Sequence, residues 1–150
     1  MDAYKQFQDA GFKEPLRENN FLDSLVEIQL SRQLKRNSDR KPIFYDRSAL
    51  CTLALCMFMG KEPSQLLKES AKNMTHSHFF EREVFFIQSL GFIHQDEIRT
   101  LNYEQALAFA EVHRQVYSEH GYRCIEIEAM PVEERSQKIL QYCKQKSSSA

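Results

Sequence analysis

The adjacent pair Asp46-Arg47 is the first combination of side chains in this sequence that could bind or transform a ligand. The pair follows the apolar triplet Ile43-Phe44-Tyr45 and precedes a helical pattern, so its carboxylate would lie near a helix N-terminus. For Asp46, a ligand or metal contact and a simple helix cap both remain open. Arg47 could contact a phosphate or a ribose, or it could form an ion pair with Asp46 or with Glu27.

Histidines and cysteines offer weaker chemistry. His76 and His78 have no carboxylate or thiol beside them in the sequence, whereas a zinc site needs three or four ligands. Cys51 and Cys56 lie in a helical pattern that separates them by roughly 140° around the helix axis. No local feature activates either thiol, which argues against a cysteine hydrolase. We therefore predict no metal site, and we expect all four cysteines to be free, buried and structural.

The composition describes one domain and excludes bulk electrostatic functions. The chain has 150 residues, and its 20 basic and 21 acidic side chains give a net charge of −1, without the positive excess that holds nucleic acid or an anionic membrane. No apolar run approaches the roughly 20 residues that span a bilayer. The N-terminus also lacks the apolar core of a signal peptide. We predict a cytoplasmic protein with an arm at 1–18, a single α/β domain at 19–146 and a flexible tail at 147–150.

The glycines exclude one common kind of nucleotide site. Loops that cradle phosphates need clustered glycines, but the four glycines of this chain are scattered singly. Gly60-Lys61 is the single Gly-Lys pair, and Glu62 follows it where a phosphate loop has Ser or Thr. The sequence therefore contains no G-x-x-x-x-G-K-[ST] motif.

The elements that must position these residues alternate between helix and strand. Hydrophobic periodicity and capping residues predict five helices: about five turns from Asn20, then 49–58, 63–73, 102–121 and 131–144. Apolar or alternating runs predict three strands, at 43–45, 84–87 and 123–128, with loops at 74–82 and 88–101. Two of the strands are apolar throughout, which is typical of a parallel sheet with helices on both faces. The predicted fold class is therefore a three-layer α/β fold.

Ligands of open parallel sheets bind beyond the carboxyl ends of the strands. The predicted strands are followed by Asp46-Arg47, by Gln88 with its long loop, and by Ala129-Met130. In that loop Arg99, near Asp96, could close over an anionic ligand, or it could be a solvated loop charge. Three strands are few for such a sheet, which indicates a further strand from an upstream segment or from a partner.

The order of several segments resembles a known family. The segment IFYDRSALCTLALCMFMG is followed by VFFI, D-E-I-R, YSEHGYRCIEI and MPVEERSQKIL. Together they resemble the small P-loop ATPases related to nicotinamide riboside kinase, which are labelled AAA-domain proteins of kinase type. The resemblance covers roughly residues 21–143. It implies a nucleoside-kinase-like fold that uses ATP and Mg²⁺, and in this chain the first strand and the phosphate loop of that fold are missing.

The resemblance also implies roles for individual residues. It places Asp46 and Arg47 in the substrate crevice, and Arg99, with Asp96 before it, at the transferred phosphates. Ala129, Met130 and Pro131 would flank the purine base. Because phosphoryl transfer depends on the phosphate loop, we expect a truncated or degenerate kinase-like domain that is not catalytically competent.

The alternative is a stand-alone α/β interaction module. In that case a homodimer or a partner strand would fill the gap between the strands at 43–45 and 84–87, because unpaired strand edges readily accept another strand.

Overall fold

The computed structural model describes residues 19–35, 42–88 and 102–148. The predicted arm at 1–18 and loop residues 89–101 lie outside the described residues. The chain divides into two compact units, Met1–Phe80 and Glu81–Ala150. The described elements are, in chain order, α1 (Asn19–Leu34), α2 (Ala49–Phe58), α3 (Gln65–Ser77), β1 (Glu83–Ile87), α4 (Tyr103–Glu119), β2 (Arg123–Ile127) and α5 (Val132–Ser148). None of these helices is long and apolar enough to cross a membrane.

The first unit consists of three helices that pack around an apolar core. Its fully buried members come from all three helices and are Phe21, Leu22, Val26, Cys56 and Leu67. Burying one large aliphatic or aromatic side chain contributes about 1.5–3 kcal/mol, so this core holds α1, α2 and α3 together. The prediction of α1 from its apolar spacing is confirmed, although the helix begins one residue before Asn20.

Serine side chains begin the second and third helices. Ser48 Oγ accepts a hydrogen bond from the backbone N–H of Leu50 at 3.2 Å. Ser64 Oγ accepts one from the N–H of Leu67 at 3.1 Å and donates its own proton to Asp23 of α1 at 2.5 Å. Ser64 therefore both caps α3 and ties it to α1, which explains why α3 begins after Ser64 rather than at Pro63 as predicted.

The end of α3 corrects the predicted loop at 74–82. The helix continues to Ser77 and ends at His78, which adopts the left-handed conformation that terminates many helices. Met74 is buried in the unit rather than placed on a surface loop. The loop was predicted because the residues after Asn73 are mostly polar, but the buried Met74 extends the apolar face of α3 by another turn.

The predicted strand at 43–45 is wrong. Residues 42–45 have no regular structure, and Ile43 and Phe44 are 47% and 54% exposed. Tyr45 instead packs its ring against those of Phe79 and Phe80, with centroid distances of 5.8 and 5.6 Å. A strand needs a neighbour for its backbone groups, and no described residue pairs with this segment.

The second unit contains a parallel pair of strands. β1 and β2 pair in register from Glu83 opposite Arg123 to Ile87 opposite Ile127. The predictions of both strands and of their parallel direction are therefore confirmed, and the fold is α/β. The helix between them, α4, begins with a capping box, in which the Asn102 and Gln105 side chains each accept from the other residue's backbone N–H. Its predicted start and its end before Gly121, which has φ +85°, are confirmed.

The helices α4 and α5 contact opposite sides of this strand pair. On β1 the Phe86 ring lies 6.5 Å from the His113 ring of α4. The neighbouring Phe85 ring lies 5.5 Å from the Tyr142 ring of α5 in an edge-to-face arrangement. Because successive strand residues point to opposite faces, each face of β1 is contacted by a different helix.

Candidate functional site

The carboxyl ends of the two strands form one edge of the second unit. Gln88 follows β1, and its backbone N–H donates to the carbonyl oxygen of Ile127, the last residue of β2, at 2.9 Å. α5 begins directly after β2, and α4 is the crossover helix that returns from the end of β1. Both helices therefore present their first turns at this edge, which is where ligands of parallel α/β sheets bind.

The turn from β2 into α5 has the properties of a contact for an uncharged group. Ala129 is small and exposed, and Met130 is half-buried. Pro131 directly precedes α5, and its carbonyl accepts from the N–H of Arg135 at 3.1 Å, so the predicted helix start at Pro131 is confirmed to within one residue. Glu133 and Glu134 occupy the first turn of α5. Their charges offset the positive end of the helix dipole and disfavour a phosphate there.

A polar network runs from α4 to this edge. The Nε of Arg114 donates to Glu126 Oε1 at 2.7 Å, and its guanidinium carbon lies 4.5 Å from the centre of the Phe86 ring. A second guanidinium nitrogen of Arg114 donates to Glu111 at 3.2 Å. The amide nitrogen of Gln88 donates to Glu126 Oε2 at 3.4 Å. Glu126 therefore links the middle of α4 to Gln88, the residue that follows β1.

The charges of this network stabilise each other. The hydrogen bond from Arg114 lowers the pKa of Glu126 from its ordinary value of 4.5, against the opposing effect of burial. The same bond raises the pKa of Arg114 against the opposing effect of burial, and the contact with Glu111 raises it further. Both groups are consequently ionised at neutral pH. The pair is partly exposed, with relative side-chain exposures of 31% and 37%, so solvent screening limits its energy.

The sequence did not predict this network. The alternating pattern of the strand at 123–128 predicts one solvated side, and Glu126 is exposed there. The pattern does not show that Arg114 of α4 bonds this residue. Arg114 stands 12 residues earlier in the chain, and no local pattern relates the two positions. The sequence contained one signal for this pair, which was an arginine in the predicted helix and a glutamate in the strand predicted after it.

Asp46 and Arg47 lie together in the first unit, just before α2. Both side chains are exposed. The cap of α2 is Ser48, so the alternative in which Asp46 caps that helix is wrong. Arg47 has φ +76°, a left-handed conformation that costs a residue with a side chain about 1 kcal/mol or more. Without a strand at 43–45, the strand-end argument no longer supports this pair.

The other predicted site residues lie elsewhere. Ala129, Met130 and Pro131 belong to the second unit, where they follow one another in the turn before α5. Asp96 and Arg99 fall outside the described residues.

The described residues offer neither a ready metal centre nor an activated thiol. The described part of the chain has no group of three or more His, Cys, Asp or Glu side chains that could hold a metal ion. The Mg²⁺ that the resemblance implies therefore finds no ready set of donors there. All four cysteines are free, as predicted, but Cys56 alone is buried. Burial raises the pKa of the Cys56 and Cys124 thiols, which disfavours the reactive thiolate.

The parallel strand pair and its crossover helix define an α/β fold. A family comparison specifies the class further: the AAA domain family matches residues 3–135. The chain belongs to that family, and the match supports the P-loop, AAA-type part of the resemblance. No curated protein and no solved structure matches the chain.

Proposed function

We propose that this chain is a degenerate P-loop kinase-like domain that binds the nucleoside part of a nucleotide without carrying out phosphoryl transfer. Family membership supports a nucleotide-related role. The observation that carries the proposal is the turn between β2 and α5, where a small residue and a methionine stand before a helix whose first turn is acidic. Such a turn suits an uncharged purine base better than a phosphate group.

The proposed binding residues divide into two groups. Ala129, Met130 and Pro131 contact the base, with Met130 supplying a polarisable apolar surface. Gln88 borders the same edge, where Glu126 holds its amide nitrogen and leaves the amide oxygen to accept from a ligand.

The remaining roles follow the kinase-type resemblance. Asp46 and Arg47 would face the second substrate, and Arg99 with Asp96 would face the phosphates of ATP–Mg²⁺. The domain would have a three-layer α/β fold, and the protein would be cytoplasmic.

The domain is expected not to transfer a phosphoryl group because the sequence lacks the phosphate-loop motif. The sequence has no G-x-x-x-x-G-K-[ST] loop, so no loop amides, lysine or magnesium-binding hydroxyl of that kind hold the phosphates. The acidic first turn of α5 adds repulsion instead of attraction. We therefore expect the triphosphate of ATP to add little to the affinity that the nucleoside provides.

The proposal is tested by calorimetric titration of the 150-residue chain with adenosine and with ATP–Mg²⁺. We expect both ligands to bind with dissociation constants of about 0.1–1 mM, as contacts to one base allow, and no phosphate to be released. Micromolar binding of ATP–Mg²⁺ that far exceeds the binding of adenosine would overturn the absence of phosphate recognition. No binding of either ligand at millimolar concentration would overturn the nucleoside site.

A matched pair of variants locates the contact. Met130→Ala removes the proposed surface for the base and should weaken adenosine binding by about threefold to tenfold. Met57→Ala changes an exposed methionine of α2 and should leave the affinity unchanged. Equal losses from both variants would show that the turn is not the contact.

A further inference from the structure

The outer edge of β1 carries backbone hydrogen-bonding groups that no other described strand uses. The bonds from Arg123 N to Arg82 O and from Gln88 N to Ile127 O fix the parallel ladder. In that ladder the even-numbered residues of β1 face β2. The N–H and C=O groups of Glu83, Phe85 and Ile87 therefore point away from β2, and no described strand pairs with them.

The side chains of β1 are also incompletely covered. Val84, Phe85 and Phe86 are half-buried, and Ile87 is 49% exposed, although the run is continuously apolar. Both α4 and α5 pack against β2 more than against β1. Continuously apolar strands are normally enclosed on both sides within a sheet, so this strand has the sequence of an interior strand and the exposure of an edge.

We propose that the outer edge of β1 pairs with β1 of a second copy of this chain, antiparallel and about a two-fold axis at Phe85. In this register Glu83 lies opposite Ile87 of the second copy, and Phe85 lies opposite its own symmetry mate. Each residue with outward-facing groups then meets another such residue, so every outward N–H and C=O of β1 gains a partner. This inference does not depend on nucleotide binding.

The charges along β1 suit this pairing. Glu83 is the single acidic or basic residue of the strand, and the register places it opposite an isoleucine rather than another glutamate. Its Oε1 accepts from Lys146 at 3.2 Å. Its Oε2 is buried without a hydrogen-bond partner among the described residues.

The edge of β2 is a poorer candidate. That strand carries charged Arg123 and Glu126, and charged residues protect strand edges from pairing. The same symmetry operation centred on Ile125 would set Glu126 opposite Cys124 of the second copy. Glu126 is already held by Arg114 and Gln88, so β1 is the edge that accepts the partner.

The first test compares alternate amides within β1. Sedimentation equilibrium of the full chain should show a dimer of the 17.7 kDa chain that dissociates on dilution. Residue-resolved hydrogen exchange at dimer concentrations should protect the amides of Glu83, Phe85 and Ile87 at least about tenfold more than in the dilute chain. The amides of Val84 and Phe86, which bond β2 in either state, serve as the internal control.

The second test uses two opposite charges at one exposed position. Ile87→Glu sets like charges opposite each other at both ends of the pairing and should raise the dimer dissociation constant about tenfold. Ile87→Lys sets a lysine opposite Glu83 and should leave the constant within about twofold of the original. Because both variants replace the same half-exposed side chain by a charged one, a general loss of folding would affect both alike.

Three outcomes overturn the proposal. One is a chain that stays monomeric up to about 0.3 mM. If the odd-numbered amides of β1 are protected in that monomer, another segment of the same chain pairs with β1, and the proposal fails as well. The second is a dimer whose odd-numbered amides exchange as in the monomer. The third is an equal effect of Ile87→Glu and Ile87→Lys on the dissociation constant, because this register places Glu83 of the second copy opposite position 87.

Discussion

The two units bury different kinds of side chain. The core of the first unit is a set of apolar residues from three helices, centred on Val26 and Leu67, which are both 0% exposed. The second unit buries His113, Tyr117 and Tyr122 beside aliphatic residues and leaves the apolar strand β1 partly exposed. Both units combine burial with polar contacts, since the first unit also buries Ser48, Thr52 and Ser70. The second unit differs in that its charged pair, Arg114 with Glu126, leads to the candidate site.

The core of the first unit bears on stability, whereas the charged pair of the second unit also lies beside the candidate site. Changes in the core of the first unit should act through packing, changes at the helix caps of either unit should act through hydrogen bonds, and changes at the Arg114–Glu126 pair should act through charge. The predictions below follow from this contrast and are ordered by the size of the expected effect.

The largest effect should come from the core of the first unit. Leu67→Ala removes a fully buried side chain and should lower the free energy of unfolding by about 2–5 kcal/mol. Leu34→Ala removes an equal volume from a side chain that is 87% exposed and should change it by less than about 0.5 kcal/mol. Urea denaturation followed by circular dichroism measures both. Similar losses from the two variants would contradict the assigned core.

Helix caps in the two units should differ in strength. Ser64→Ala loses the cap of α3 and the bond to Asp23 of α1, so it should cost about 1–2 kcal/mol. Asn102→Ala loses the capping box at the exposed start of α4 and should cost about 1 kcal/mol or less. Denaturant unfolding ranks them, and Ser136→Ala, at an exposed position of α5, is the control. A larger loss for Asn102→Ala would reverse the predicted order.

Removal of Arg114 should loosen only the second unit. Arg114→Ala deletes the bonds to Glu126 and Glu111 and the contact with Phe86, at an expected cost of about 0.5–1 kcal/mol because the pair is partly exposed. Hydrogen exchange should quicken in β2 and α4 and stay unchanged in α1. Gln115→Ala on the exposed side of α4 is the matched control. Faster exchange in α1 would show that the units unfold as one.

Acid should weaken the same network. Arg114 depresses the pKa of Glu126 in the folded state, so the stabilisation is complete above the ordinary value of 4.5 and is lost as the pH falls through the lower folded value. Screening keeps the effect to about 0.5 kcal/mol. Stability measured from pH 6 to pH 3 should fall less steeply in Glu126→Gln than in the unchanged chain. An identical pH dependence would remove the pair as a contributor.

Local sequence signals identified much of the second unit. Asn102 with Gln105 predicts the start of α4, Gly121 predicts its end, and Val84-Phe85-Phe86-Ile87 predicts β1. Each signal lies within the element that it predicts. These local signals were therefore enough to predict the parallel strand pair and its crossover helix.

Features that depend on distant residues were the ones that failed. The apolar triplet at 43–45 has the composition of a strand, but strand formation depends on an available neighbour. The Tyr45 ring packs on Phe79 and Phe80 instead. The Arg114–Glu126 pair was missed for the same reason. The turn after β2 lies where the sequence predicts it, and its role as a site stays a prediction. Asp46 and Arg47 had been placed by a strand that the structure does not contain.

The central claim is that the carboxyl edge of β1 and β2 receives a nucleoside. It is tested most directly by titrating the isotope-labelled chain with adenosine and following each backbone amide by nuclear magnetic resonance. The predicted result is a set of saturable shifts at Gln88, at 128–130 and in the first turn of α5. Shifts confined to the opposite edge, at Arg82 and 121–123, or no shifts at millimolar adenosine, would contradict the claim.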